Sequence, residues 1–314
     1  MHLTRIMAAW PRKRLCSWQR RLQSQAAFAA LAILPVAQQA QATDTLAKIA
    51  STHRIIIGHR QSELPFSYVA NGKVIGYAID ICQKVVEGLQ KQLNLDHIEI
   101  DYQLVATATR FIQLNSGNID LECATTTNNA ERRKIAEFSY PYFFTATRYV
   151  AKKQAGLHTI ADLAGHSVVS TTGTIDVDQL NAVNLAQHLN ISVLLRRTHS
   201  DSFQLVENGQ ASAFVMDDIL LAGLVASSGH PGDYTISQDA FNRPEPYGIL
   251  IPAGDIAFKS AVDRVLRTLY ASHEIDQLYA KWFMQPIAPD GRNLKLPMSP
   301  ELRDWLAAPR EYLD

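Results

Sequence analysis

The chain has 314 residues, 30 basic and 30 acidic, but Arg5, Arg12, Lys13, Arg14, Arg20 and Arg21 all fall in residues 1–42, which hold no acid, so 24 basic groups face 30 acidic ones in the remainder. That remainder has no basic excess for a nucleic-acid surface, and no nucleic-acid partner is expected. With 47% apolar and 19% charged residues the whole chain is too apolar for intrinsic disorder, and its length suits one large domain or two ordinary ones.

Residues 26–37 read AAFAALAILPVA, preceded by Arg20-Arg21 and followed by a segment ending at Ala40-Gln41-Ala42. A basic start, a short apolar run and an A-x-A ending make a secretory signal peptide, here residues 1–42, cleaved after Ala42. The apolar run is shorter than the roughly 20 residues that a membrane-spanning helix needs, which makes a permanent anchor the weaker alternative. Met7 is an alternative start. Cys16 would leave with the leader, so the product is expected to be soluble and periplasmic. Cys82 and Cys123 remain, either as a disulfide in an oxidising compartment or as two separate buried thiols.

In the mature chain, short apolar runs alternate with helical-period segments, the pattern of an α/β protein with mostly parallel strands. Strands are predicted at 54–58, 98–104 and 119–124, with a helix at 79–93 and a short one at 109–115. Further strands are expected at 147–152, 167–170, 192–195 and 213–216, with a helical turn at 160–165 and helices at 175–189 and 202–207. A strand at 247–251 and helices at 257–272 and 275–282 complete the pattern. Pro244 and Pro246 are expected to interrupt regular structure. The chain thus predicts two crossings between lobes: residues 43–145 with 244–314 form one discontinuous lobe, and 146–243 the other, inserted lobe.

In an open α/β sheet, ligands bind beyond the carboxyl ends of the strands. Polar residues cluster at five such junctions: Gly58-His59-Arg60, Thr107 to Arg110, Thr125 to Arg132, Ser170 to Thr174, and Met216-Asp217-Asp218. Any one of these is ordinary as a surface charge, helix cap or loop. Their recurrence at equivalent positions in both halves is the signal.

These residues, with Pro65-Phe66-Ser67-Tyr68, Glu122-Cys123, Asp201-Ser202-Phe203, Phe214 to Asp218 and Lys281-Trp282-Phe283, are similar to a known family. From about Leu46 to the C-terminus the chain resembles the periplasmic solute-binding proteins (family 3) of polar amino-acid ABC importers, above all the glutamate/aspartate-binding members. The resemblance implies a two-lobe type II periplasmic binding protein fold with a two-segment hinge, and a monomer that delivers an acidic amino acid to a membrane permease. It implies that Arg132 clamps the α-carboxylate with Thr127 and Thr174, and that Asp217 binds the α-ammonium. Arg60, Arg110 and Thr107 would meet the side-chain carboxylate, with His199 and Thr171 approaching from the inserted lobe and Thr125 lining the amino-acid end.

Counting three guanidinium groups against Asp217 gives this site a charge of about +2, from which an acidic ligand and poor binding of glutamine are expected. The alternative is a lyase on the same fold, similar to cyclohexadienyl dehydratase, with Glu122 as its acid or base; a structural role for Glu122 is the competing reading. A sensor feeding a kinase would need a membrane segment after the domain, and the sequence offers none. No nucleotide loop, nucleophile elbow or metal-ligand cluster is present, so no cofactor is assigned.

Overall fold

The computed structural model describes residues 44–313, and the leader predicted over 1–42 lies outside them. Two five-stranded sheets carry the architecture. In the first, the strands Glu99–Leu104, Arg54–His59 and Leu121–Glu122 lie side by side in parallel, followed by Leu250–Ile251 running antiparallel and then Glu137–Phe138. The second repeats this plan, with Ser192–Arg196, Ser167–Thr171 and Ala213–Asp217 in parallel, then Thr147–Lys152 antiparallel, then Tyr234–Ile236. In each sheet four strands point one way, and the opposed strand is the one that arrives from the other sheet.

Helices cover the sheets because their apolar positions recur at helical spacing. Tyr77–Gln92 buries Tyr77, Ile81, Val85 and Leu89 on one stripe and packs on Ile256–Ala271, which buries Phe258, Val262, Leu266 and Leu269 in the same way. Gly76 begins the first of these helices at φ +142, where a Cβ would stand 2.0 Å from the Phe66 carbonyl oxygen, so glycine is required there. Cys82 and Cys123 form a disulfide with Cα atoms 6.3 Å apart, tying this helix to the segment that leads into Thr125. Of the two readings open in the sequence, the disulfide is the one the structure contains.

The strands Phe143–Thr145 and Glu245–Tyr247 pair antiparallel where the chain passes from the first sheet to the second and back. An aromatic cluster backs them. Phe66 meets Phe143, Tyr247 and Phe283 edge-on with ring centroids 4.9, 5.4 and 5.6 Å away, so the Lys281-Trp282-Phe283 motif packs against these crossing strands.

Several expectations need correction. Pro246 does not interrupt regular structure; it lies within the Glu245–Tyr247 strand, where it needs to offer only its carbonyl, which accepts from the Asn128 N–H at 2.8 Å. The strand expected at 119–124 is reduced to Leu121–Glu122. The helix expected at 202–207 begins earlier, spanning His199–Glu207, because the Thr198 side chain accepts from the Asp201 N–H and caps it there. The sequence reading also missed the three-stranded sheet of Ser62–Glu63, Ser67–Ala70 and Lys73–Ile75, whose strands are too short for alternation to stand out. Among the described residues no helix is long and apolar enough to cross a membrane.

Candidate functional site

The parallel trio of each sheet directs its carboxyl ends towards one small cavity. From the first sheet come Arg60, Thr107 and Arg110, then Thr125, Thr127 and Arg132; from the second come Thr174, His199 and Asp217. These nine are sequence-predicted residues, and they converge. The tenth, Thr171, does not line the cavity. It is fully buried, and its hydroxyl pairs with His199 Nδ1 at 2.9 Å and with Ser202 at 3.0 Å, so it orients the imidazole from behind.

Two carboxylates in the lining escaped the sequence reading: Glu63 and Asp176. Glu63 lies in the short Ser62–Glu63 strand that also went unrecognised. Asp176 stands in the first turn of the helix Ile175–Ala186, where an acid ordinarily complements the helix dipole, so no pattern separates it from a surface residue. The one available signal was the spacing of Glu63 three residues after Arg60.

Arg60 is 4% exposed and already engaged. Its Nε donates to Glu122 Oε1 at 2.9 Å and lies 3.6 Å from Glu63 Oε1, while Nη1 donates to the Thr107 hydroxyl at 2.8 Å. Burial alone would lower its proton affinity, but the two carboxylates outweigh that and raise it. Glu63 accepts from the Thr125 hydroxyl at 2.6 Å and stands 3.3 Å from His199 Nε2. Its burial would raise its pKa, yet Arg60 and then His199 bring it down to about 2. Glu122 is wholly buried, with its second oxygen taken by the Thr126 hydroxyl at 2.6 Å. It therefore serves as a structural partner of Arg60, the competing reading of that residue in the sequence.

Arg110 and Arg132 are differently placed. Arg110 Nη1 donates to the carbonyls of Thr107 and, at 3.1 Å, Gly173, and Arg132 Nη1 donates to the Thr127 carbonyl at 3.0 Å. Both guanidinium groups face the Phe111 ring, at 4.7 and 5.8 Å. Neither has an ion pair with a carboxylate among the described residues. Burial, then the charges of Arg132 and Arg60, lower the proton affinity of Arg110, whose Nε is buried with no hydrogen-bond partner.

On the opposite wall, Asp217 accepts from the Tyr247 phenol at 2.5 Å, and Asp176 accepts from the Thr147 hydroxyl at 2.8 Å through one oxygen while its other, Oδ2, is buried and unpartnered. Burial raises both carboxyl pKa values, and Asp176 raises that of Asp217 further.

The charge expected from the sequence is thus overturned. Glu63, Glu122 and Asp176 join Asp217, so four carboxylates meet the three guanidinium groups, and the surplus of about +2 does not exist. The expectation that glutamine binds poorly rested on that surplus and loses its basis. The cavity instead has two cationic groups without carboxylate partners facing a pair of acids, an arrangement that can hold a small molecule bearing both carboxylate and ammonium. Among the described residues no group of His, Cys, Asp or Glu is placed to hold a metal ion.

Residues 55–285 match the bacterial extracellular solute-binding proteins, family 3. The chain is 41% identical over 292 residues to an L-glutamate/L-aspartate-binding protein of Pseudomonas aeruginosa, covering 92% of this chain and 96% of that one. It is 36% identical over 293 residues to a glutamate/aspartate import solute-binding protein of Escherichia coli, covering 91% and 97%. A histidine-bound substrate-binding protein of an ABC uptake transporter from Streptococcus pneumoniae shares the fold, with a TM-score of 0.70, 20% identity, and 77% of this chain and 97% of that one covered.

Proposed function

The chain belongs to the bacterial extracellular solute-binding proteins, family 3, and from that footing we propose that it is a periplasmic receptor that binds an acidic amino acid and delivers it to the permease of an ABC importer. The observation that carries this reading is the pair of unpartnered atoms in one cavity lining, Arg110 Nε and Asp176 Oδ2. A buried donor and a buried acceptor left unmade are costly, and an amino acid offers the matching groups to both. Its two carboxylates would meet Arg132 and Arg110, and its ammonium would meet Asp217 and Asp176. Thr127 and Thr174 would flank the first of these ends and Thr107 the second, while Thr125, expected at the amino-acid end, instead donates to Glu63.

The receptor works as a monomer whose lobes, residues 43–145 with 244–314 and residues 146–243, close about the crossing strands. The lyase alternative has less support, because both oxygens of Glu122 are committed to Arg60 and Thr126. Isothermal titration with the L-amino acids tests the proposal: aspartate or glutamate binds and is recovered unchanged by mass spectrometry, and Arg110→Ala loses most of the affinity. Unchanged affinity in that variant removes Arg110 from the site; conversion of the ligand to a product sinks the receptor reading.

A further inference from the structure

The far end of the cavity holds a carboxylate where a site for acidic side chains would be expected to hold only cations. We infer that Glu63 narrows this cavity's preference for a second ligand carboxylate, because it also gives a carboxamide, as in glutamine or asparagine, a partner. The inference rests on the reading of the cavity as an amino-acid site and deepens it.

Glu63 is 3% exposed, lines the cavity, and is held from three sides by Arg60, Thr125 and His199. The charge of Arg60 is therefore met twice, by Glu122 and Glu63, before any ligand arrives. Arg110, with its unpartnered Nε, is the guanidinium with capacity left at this end. Glu63 also has capacity: its Oε1 has its nearest donors at 3.3 and 3.6 Å, longer than a good charge-assisted hydrogen bond.

A carboxamide fits such a pair because it carries both kinds of group. Its carbonyl accepts from Arg110 and its NH₂ donates to Glu63. A carboxylate has acceptors only, so it satisfies Arg110 but brings like charge towards Glu63 in a desolvated space. The carboxamide nitrogen thus gains a partner in the position where a carboxylate oxygen would be repelled.

The test is titration of L-glutamate and L-glutamine into the wild-type protein, Glu63→Gln and Glu63→Asp, with thermal melts to establish that each is folded. Glu63→Gln is expected to shift the glutamate-to-glutamine affinity ratio towards glutamate by about tenfold or more, the scale of one charge-assisted hydrogen bond. Glu63→Asp keeps the charge and should hold the wild-type preference. An unaltered ratio in Glu63→Gln overturns the role given to Glu63, as does an equal shift in both variants, which would make side-chain length rather than charge the cause. If neither amino acid binds any of the three proteins, the receptor reading itself fails and the Glu63 role goes with it.

Discussion

Tyr247 donates its phenol to Asp217 Oδ2 at 2.5 Å, and this bond joins a strand at the crossing between the sheets to the end of the Ala213–Asp217 strand in the second sheet. Both residues are buried. The bond fixes one carboxylate oxygen and, on the proposed function, leaves the other for the ligand. Tyr247→Phe removes a hydrogen bond to a charged group, worth about 1.5–3 kcal/mol, so affinity for the amino acid should fall by about tenfold to a hundredfold. Calorimetry reads this directly. The phenylalanine keeps the ring contacts with Phe66 and Phe143, but buried Asp217 loses a donor that it also has without ligand, so the melting temperature should fall by several degrees as well.

Asp217 and Asp176 predict a proton linkage. Burial raises both pKa values, and Asp176 further opposes ionisation of Asp217. The folded protein therefore holds a proton on this pair at pH values where the unfolded chain would have released it. An ammonium bound between them favours the charged forms and expels that proton, so affinity should rise with pH until the pair is fully ionised. Titrations at one pH in buffers of different ionisation enthalpy should show proton release on binding, and Asp176→Asn should abolish most of it. Equal heats in all buffers for the wild-type protein would contradict the linkage.

The sheet plan was legible in the sequence because each parallel strand is a short apolar run followed by polar residues, and eight of the nine cavity residues were legible because they sit where those strands end, His199 being implied only by the resemblance to the family. Glu63 was not, since its strand has two residues and pairs locally with Ser67–Ala70. Nor was Asp176, since the first turn of a helix makes an acid unremarkable. Thr171 shows the converse limit: it stands at the end of a strand as the pattern demands, but its hydroxyl turns to His199 and Ser202 instead of the cavity. Position along a strand predicts which loop a residue occupies; partners several elements away decide where its side chain ends.

Glu63 also predicts behaviour in acid. Its pKa falls from an ordinary 4.5 to about 2, because Arg60 and His199 together outweigh its burial. A depressed carboxylate contributes stability that is present above the unfolded value and is lost as the pH falls through the folded one, here between about 4.5 and about 2. The size is about 3 kcal/mol. Chemical denaturation across this window should show wild-type stability dropping with a steeper slope than that of Glu63→Gln, and parallel slopes would mean that Glu63 titrates normally.

The two walls of the cavity make a close backbone approach at Gly173. This residue has φ +86, and a Cβ there would stand 2.6 Å from Ala108 Cα and 3.0 Å from Ala108 N, which belong to the opposite wall. The Gly173 carbonyl accepts from Arg110 Nη1 across the same gap at 3.1 Å. In Gly173→Ala the added methyl meets backbone atoms that cannot turn aside, so the walls must separate, and Arg110 moves away from the inserted lobe. The left-handed conformation itself costs an alanine about 1–2 kcal/mol, which should appear as a modest loss of melting temperature. The larger effect should be on binding: the lobes remain folded but cannot meet, so affinity falls by about tenfold or more while the far-ultraviolet circular dichroism is unchanged. Small-angle scattering of the variant with saturating ligand should give a larger radius of gyration than the wild type, because the methyl group holds the lobes apart at the place where they would otherwise touch.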